Sequence, residues 1–524
     1  MNPNHKYPWT LTNSIRFFFL LLLLLDACAP KPAGPVTNPV HEGTQKMLNP
    51  ALKPFYHGVA SGDPTQHGVV LWTRVTPEQA RSKIEVTWEI ANDPQCREIL
   101  QSGMVRTSPA QDFTVHVPVS GLSPNQTYYY RFASLGQQSV IGRTRTLPDV
   151  MVPELNLAVV SCANFEAGYF NAYGQIAEDD DIDMVVHLGD YIYEYAAGVY
   201  GDKSLNRKNV PPHEIVRLND YRTRYALYHL DQDLMQVHQR HPFITVWDDH
   251  EVANNSYTTG AQNHQPEEGD YETRKKAAEQ AYFEWLPIRQ GLDKLYRSTD
   301  LGPLGTLYMM DERLAGRTAP AKGVDDPIYL DSRQAMLGQQ QLNWLEEMVA
   351  TKPAGWHLIG NQVLFSLTHS PGRQPNMDSW AGYPAERMQI INWLNEPTVQ
   401  NVIFLTGDSH SSWAFEIPKS GQDYRDFHRS VAVEFATPSI SSANADERMP
   451  LDSVLQIEKV MQADSLNVAM KYINLHDHGY ILLRVRPTEV AAEYHYVDRI
   501  NEPSIHEHLG AVWRVIKGST FLSK

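Results

Sequence analysis

Between about residues 54 and 147, apolar residues recur at alternate positions in short runs separated by Gly, Pro and Asn. Val69-Val70-Leu71-Trp72, Ile84-Glu85-Val86-Thr87-Trp88, Phe113-Thr114-Val115-His116-Val117 and Thr127-Tyr128-Tyr129-Tyr130-Arg131-Phe132 are of this kind. A strand points successive side chains to opposite faces, so the pattern predicts a small antiparallel β-sandwich. From Leu155 the texture changes. The apolar runs Leu155 to Val160, Met184 to Leu188, Phe243 to Trp247, His357 to Ile359 and Val402 to Leu405 end in polar turns, and helical periodicity fills intervals such as Tyr271 to Ile288 and Gln334 to Ala350. Strands alternating with helices predict an α/β layered fold with its active residues at strand ends. The expected organisation is a β-sandwich over 54–150 and a larger α/β domain over 151–524.

One apolar run has a different meaning. Phe17 to Leu25 follows Lys6 and Arg16, and its length of about nine residues is well short of the roughly 20 that span a bilayer. It has the length of a secretory signal core. The run closes on Leu25-Asp26-Ala27-Cys28, which resembles the lipobox of bacterial lipoproteins, where Cys28 would be lipidated after cleavage. An ordinary signal peptide cut nearby is the alternative. The expectation is a signal segment over 1–28, a tether over 29–53, and an exported protein anchored by lipid to a bacterial membrane, facing the periplasm or the cell surface.

The net charge of −16 counts against a nucleic-acid partner, which needs a basic face. Any anionic substrate must then be drawn in by local positive charge, and bound cations are one source. The three cysteines are Cys28, Cys96 and Cys162. If Cys28 carries lipid, a Cys96–Cys162 disulfide is possible on count alone, although the setting of Cys162 points elsewhere.

Four segments share one design, an apolar strand followed at once by metal-ligand chemistry: Ser161-Cys162-Ala163-Asn164, Gly189-Asp190-Tyr191-Ile192-Tyr193, Trp247-Asp248-Asp249-His250-Glu251 and Gly407-Asp408-Ser409-His410. Singly, each reads as an ordinary turn, a buried thiol or a helix start. Together they demand another account, because gathered carboxylates repel one another unless cations hold them. In order and content the four segments resemble those of the PhoD family within the calcineurin-like metallophosphoesterases. Supporting stretches run from Gly58-Val59-Ala60-Ser61-Gly62-Asp63-Pro64 through Asp331-Ser332-Arg333 to Phe435-Ala436-Thr437-Pro438-Ser439-Ile440-Ser441-Ser442, so the likeness covers roughly 54–485.

That resemblance implies a fibronectin-III-like N-terminal sandwich before a metallophosphoesterase-type α/β/β/α sandwich domain. It implies a phosphohydrolase of the alkaline phosphatase/phosphodiesterase type, acting on phosphomonoesters and/or phosphodiesters by attack of a metal-activated water. The ligand chemistry agrees. Thiolate Cys162, carboxylate Asp190 and phenolate Tyr193 would present three negative charges, with His410 as a neutral fourth ligand, and a trivalent iron suits that set better than a divalent ion. Asp249, Asp408 and Asn254 are oxygen donors suited to Ca²⁺, and Asp190 could bridge the two kinds of site. His250 would face the phosphate and leaving-group oxygen, its alternative being a helix-start histidine bonded to a carbonyl. Asn164 would touch metal or substrate, or cap a turn. Other divalent metals are compatible with the oxygen donors. Many PhoD proteins carry a twin-arginine leader, which this chain lacks, so export before folding and iron loading outside the cytoplasm are expected.

Rival readings are fewer. No Gly-x-Ser-x-Gly elbow marks a serine hydrolase, and His250-Glu251 lacks the second histidine of a zincin. A phospholipase D-like activity on phospholipids and a non-catalytic, surface-anchored binding lipoprotein remain as alternatives. His476-Asp477-His478-Gly479, before a strand-like run, stands outside the expected metal set.

Overall fold

The computed structural model describes residues 39–352 and 355–524, so Cys28 and the expected signal segment lie outside the described residues. Two large sheets form the body. The first runs in the order Leu522–Ser523, Glu507–Ile516, Glu489–Val497, His478–Val485, Leu155–Val160, Met184–His187, Pro242–Thr245, Val59–Thr65, Gly68–Arg74 and Thr114–Ser120. The second has seven strands, among them Gly305–Met309, Trp356–Asn361, Val402–Thr406 and Ser430–Ala436, which pair in parallel.

The strand residues of the second sheet divide by parity. Leu307, Leu358, Leu405 and Phe435 share a core with Leu157 and Val159 of the first sheet. Tyr308, Ile359 and Phe404 instead join Leu342 and Leu345 of the helix Gly338–Thr351 and Ile390 of the helix Pro384–Leu394. On its far side the first sheet packs on helices Asn171–Glu178, Leu218–Tyr228, Gln232–Arg240 and Tyr271–Trp285, through Tyr173, Tyr225, Leu234 and Tyr282. The layers are therefore α/β/β/α, and burial of each aliphatic side chain stabilises them by about 1.5–3 kcal/mol. The helix expected from Tyr271 ends at Trp285, before Pro287, whose ring cannot continue it.

The N-terminal sandwich departs from the expected independent domain. Its second sheet, with Ile84–Ala91, Ile99–Thr107 and Thr127–Ser134, is separate. Its first sheet is not, because Val59–Thr65 pairs in parallel with Pro242–Thr245, Ser61 opposite Pro242 and Gly62 opposite Phe243. The expected tether also needs correction. From residue 39 onward it is packed, with His41 and Thr44 buried and the Pro39 carbonyl accepting from Arg74. The local sequence held no sign of this, because the anchoring partners are far away along the chain. At the other end, Leu522 bonds Glu416 and Thr520 bonds the Ser430 carbonyl, so the C-terminal residues tie the edge of one sheet to the other.

Asp112 joins these pieces. Its carboxylate pairs with Arg74 at 2.9 Å and His41 at 2.8 Å and accepts the Trp285 indole N–H at 3.1 Å. Burial alone would raise its pKa, but Arg74 and His41 outweigh it and hold the carboxyl well below the usual range. A depressed folded value means that its contribution is complete above about pH 4 and is lost as pH falls toward that value. Asp112→Asn leaves Arg74 buried beside a neutral partner. It is expected to cost about 3–5 kcal/mol in urea denaturation at pH 7, with the gap narrowing as pH is lowered below 4.

Candidate metal centre

Every element that the chemistry uses ends at the same rim. Leu155–Val160 delivers Cys162, Met184–His187 delivers Asp190 and Tyr193, Pro242–Thr245 delivers Asp248 to Glu251, and Val402–Thr406 delivers Asp408 and His410. Four of these side chains leave the backbone in the left-handed region: Cys162 at φ 61°, Asp190 at 56°, Asp408 at 54° and His410 at 59°. Non-glycine residues adopt it at about 1 kcal/mol or more each, and such strain clusters where function requires it. Gly189 sits so close to Asp248 that a Cβ would come within 2.4 Å of the Asp248 Cβ, so only glycine lets these two loops meet.

Ligand atoms of Cys162, Asp190 and His410 lie within 4.8 Å of one another, as do those of Asp190, Asp249 and His250. Asp190 belongs to both groups. Tyr193 Oη donates to Asp190 Oδ2 at 2.9 Å and lies 3.4 Å from His410 Nε2, while Ser442 Oγ donates to it at 2.5 Å. His410 Nδ1 is taken by the Ala443 carbonyl at 2.9 Å, which leaves Nε2 for the centre. Asp190 Oδ1, Asp248 Oδ2 and Asp249 Oδ1 are buried without a hydrogen-bond partner. Orphaned carboxylate oxygens at a shared point are what a bound cation would satisfy. Burial and the Asp190 carboxylate push the Cys162 thiol far up, and burial does the same to Tyr193, so both need a cation to ionise. The donor set fits a metal. Cys96 and Cys162 are both free thiols, so the disulfide possible by count is not formed.

The other expected residues divide. His250 is buried, and its Nδ1 meets Glu194 Oε2 at 2.7 Å. Burial would lower its pKa, yet the carboxylates of Asp249, Asp190 and Glu194 raise it well above the ordinary value. It is not bonded to a backbone carbonyl there. Asn164 sits beside Cys162 but spends its amide locally: Nδ2 donates to the Tyr200 carbonyl at 3.0 Å and Oδ1 accepts from Glu166 at 3.0 Å. These bonds are those of a turn cap, the alternative expected for Asn164. Asn254 donates its side-chain Nδ2 to Gln262 and its backbone N–H to Glu194, and neither bond uses its Oδ1.

Sequence reasoning missed several members. Glu194, four residues after Asp190, also accepts Asn263 Nδ2 at 2.8 Å and so fixes both His250 and the loop behind it. Glu251 is a brace: its carboxylate accepts the backbone N–H groups of Asp190, Tyr191 and Asp248. The Asp331-Ser332-Arg333 stretch is a local ion pair with Arg333 exposed. The Asp-x-Arg that reaches the centre is Asp311-Glu312-Arg313, at the end of Gly305–Met309, where the strand-end rule would have found it. His476 and His478 pair with Glu458 and Glu447. At the rim, Tyr200 lies over His250 with ring centres 6.5 Å apart, and Arg448 stands 3.5 Å from the Tyr200 hydroxyl.

A family model described as PhoD-like phosphatase matches residues 157–494, and one for the PhoD-like phosphatase N-terminal domain matches 43–148. The chain belongs to the PhoD-like phosphatase family. Alkaline phosphatase D of Bacillus subtilis (strain 168) is 35% identical over 480 residues, 86% of this chain and 79% of that protein. The solved structure of PhoD superposes with a TM-score of 0.80 at 32% identity, covering 91% of this chain and 92% of that one. Membership of the PhoD-like family makes the chain a phosphoric ester hydrolase.

If Glu194 orients and charges His250, Glu194→Gln should lower kcat about 10- to 100-fold with little change in KM and in bound metal. Asn164→Ala, measured alongside, should shift thermal stability far more than kcat.

Proposed function

We propose that this chain is an exported, metal-dependent phosphohydrolase of phosphomonoesters and/or phosphodiesters. The observation that carries the reading is the pair of orphaned, buried oxygens on Asp190 and Asp249, set between a thiol, a phenol and an imidazole. Cys162, Asp190, Tyr193 and His410 would hold Fe³⁺, and Asp249 and Asp408, with Asp190 between, would hold Ca²⁺. When bound, such cations supply positive charge to the phosphoryl oxygens and the means to ionise a water near neutral pH.

The protein's own groups supply the rest. Glu194 locks the His250 Nδ1–H, so the opposite ring nitrogen is the one able to give a proton to a departing oxygen. Tyr200 and the packed Tyr193 ring, 4.2 Å from His250 between centroids, restrict how that imidazole can turn. Burial of Asp190 and Asp249 lowers the effective dielectric around them, which strengthens their charge interactions. The −16 protein would thus receive an anionic substrate through its cations. Export and membrane attachment through lipidated Cys28 complete the proposal, supported by the basic, apolar and Cys-ended leader.

Purified full chain should hold iron and calcium by elemental analysis and show the visible absorption of an iron(III) phenolate. It should hydrolyse aryl monoester and diester substrates assayed in parallel. Chelation should abolish turnover and reloading restore it, and Cys162→Ser should cost about a thousandfold or more in kcat/KM together with the colour. A colourless preparation whose activity survives chelation would overturn the metal reading. In cells, Cys28→Ser is expected to move the protein from the membrane to the soluble fraction.

A further inference from the structure

Besides the two groups around Asp190, a third trio has cation-binding geometry: Asp248, Asp249 and Asp408 offer oxygens within 4.8 Å of one another. A side chain already stands among them. Arg313 is fully buried, and its guanidinium assigns its donors by edge. Nε bonds Asp248 Oδ1. Nη1 donates to both oxygens of Asp378, at 3.0 and 2.8 Å. Nη2 lies 3.6 Å from Asp249 Oδ1 and 3.4 Å from Asp408 Oδ1, longer than a strong N–H···O bond. Asp248 and Asp378 therefore anchor the group, Asp408 takes a longer bond from Nη2, and Asp249 is only faced by it, while Asp248 Oδ2 stays without a hydrogen-bond partner.

The anchoring is itself built. Asp378 is held from its other side by Arg317 at 2.6 Å. The turn that presents Arg313 is tied by Asp311, which accepts the Arg313 backbone N–H, and by Glu312, whose carboxylate accepts Gln362 and Val363 N–H. A planar fork with five donors can meet these separate directions at once, which an ammonium cannot.

We propose that Arg313 is a resident cation: it fills the Asp248–Asp249–Asp408 cluster in place of a metal ion, claims Asp248 through Oδ1, and leaves Asp249 Oδ1 for the cation site that Asp249 shares with Asp190. It is a positioning residue, and the inference rests on the reading that the neighbouring cage binds metal. Its chemical consequence is a count. Without the guanidinium, the trio becomes an all-oxygen, anionic site of the kind that takes Ca²⁺.

The test is Ca²⁺ binding to the full-length, iron-loaded protein by equilibrium dialysis and elemental analysis. Arg313→Gln should bind one Ca²⁺ per chain more than the parent, and adding Asp248→Asn to it should return the count to the parental number. Ca²⁺ should also raise the melting temperature of Arg313→Gln more than that of the parent, which a merely structural arginine would not produce. Equal or lower Ca²⁺ content in Arg313→Gln overturns the inference. Should that variant fail to fold, Asp248→Asn alone decides: its metal content should match the parent, and loss of an ion overturns the inference. A parent that binds no metal at all removes the cage reading and this inference together, whereas a metal-loaded parent with an unchanged Arg313→Gln count removes this inference alone.

Discussion

The structure depends on holding like charges together away from water. Asp190, Asp248, Asp249, Asp408 and Glu251 are gathered within a few residues of three strand ends, and burial raises the pKa of Asp248 to about 8 and of Asp408 to about 7 despite the guanidinium of Arg313 beside them. Asp249 goes the other way: burial opposes its charge, but Arg313 and His250 keep it low. The cluster is thus only part compensated by fixed cations, and one oxygen each of Asp190, Asp248 and Asp249 stays without a hydrogen-bond partner. Left-handed backbone at Cys162, Asp190, Asp408 and His410, a glycine at the close loop approach and the Glu251 brace all serve to keep that arrangement from relaxing.

The strand-end rule made most of this visible in the sequence. Cys162, Asp190, Tyr193, Asp249, Asp408 and His410 each follow an apolar run closely, and parallel strands in adjacent register must bring their ends to one rim. What was not visible depends on contacts between distant segments. Glu194 looks like any acid after a tyrosine until His250, 56 residues on, is placed against it. Asn164 sits in the position a ligand would occupy, yet the loop around Tyr200 supplies the carbonyl that consumes its amide. Arg313 follows a strand end as the others do, but which carboxylates it meets shows only where the two sheets converge.

The same limit applied to the fold. Alternation along 54–147 is a local property and identified the sandwich strands well, whereas the pairing of Val59–Thr65 with Pro242–Thr245 joins segments about 180 residues apart and leaves no trace in either. His41 and Pro39 were read as tether because composition reports what a segment is made of, and not which buried aspartate or arginine awaits it.

That shared sheet has a bearing on how the polypeptide can be divided. Cutting near residue 150 would strip the neighbour from Pro242–Thr245 and expose a bare row of amides and carbonyls on an apolar ribbon, an invitation to intermolecular stacking. The sandwich is then less an appendage than a selvedge, the finished border that keeps the larger fabric from fraying into its neighbours.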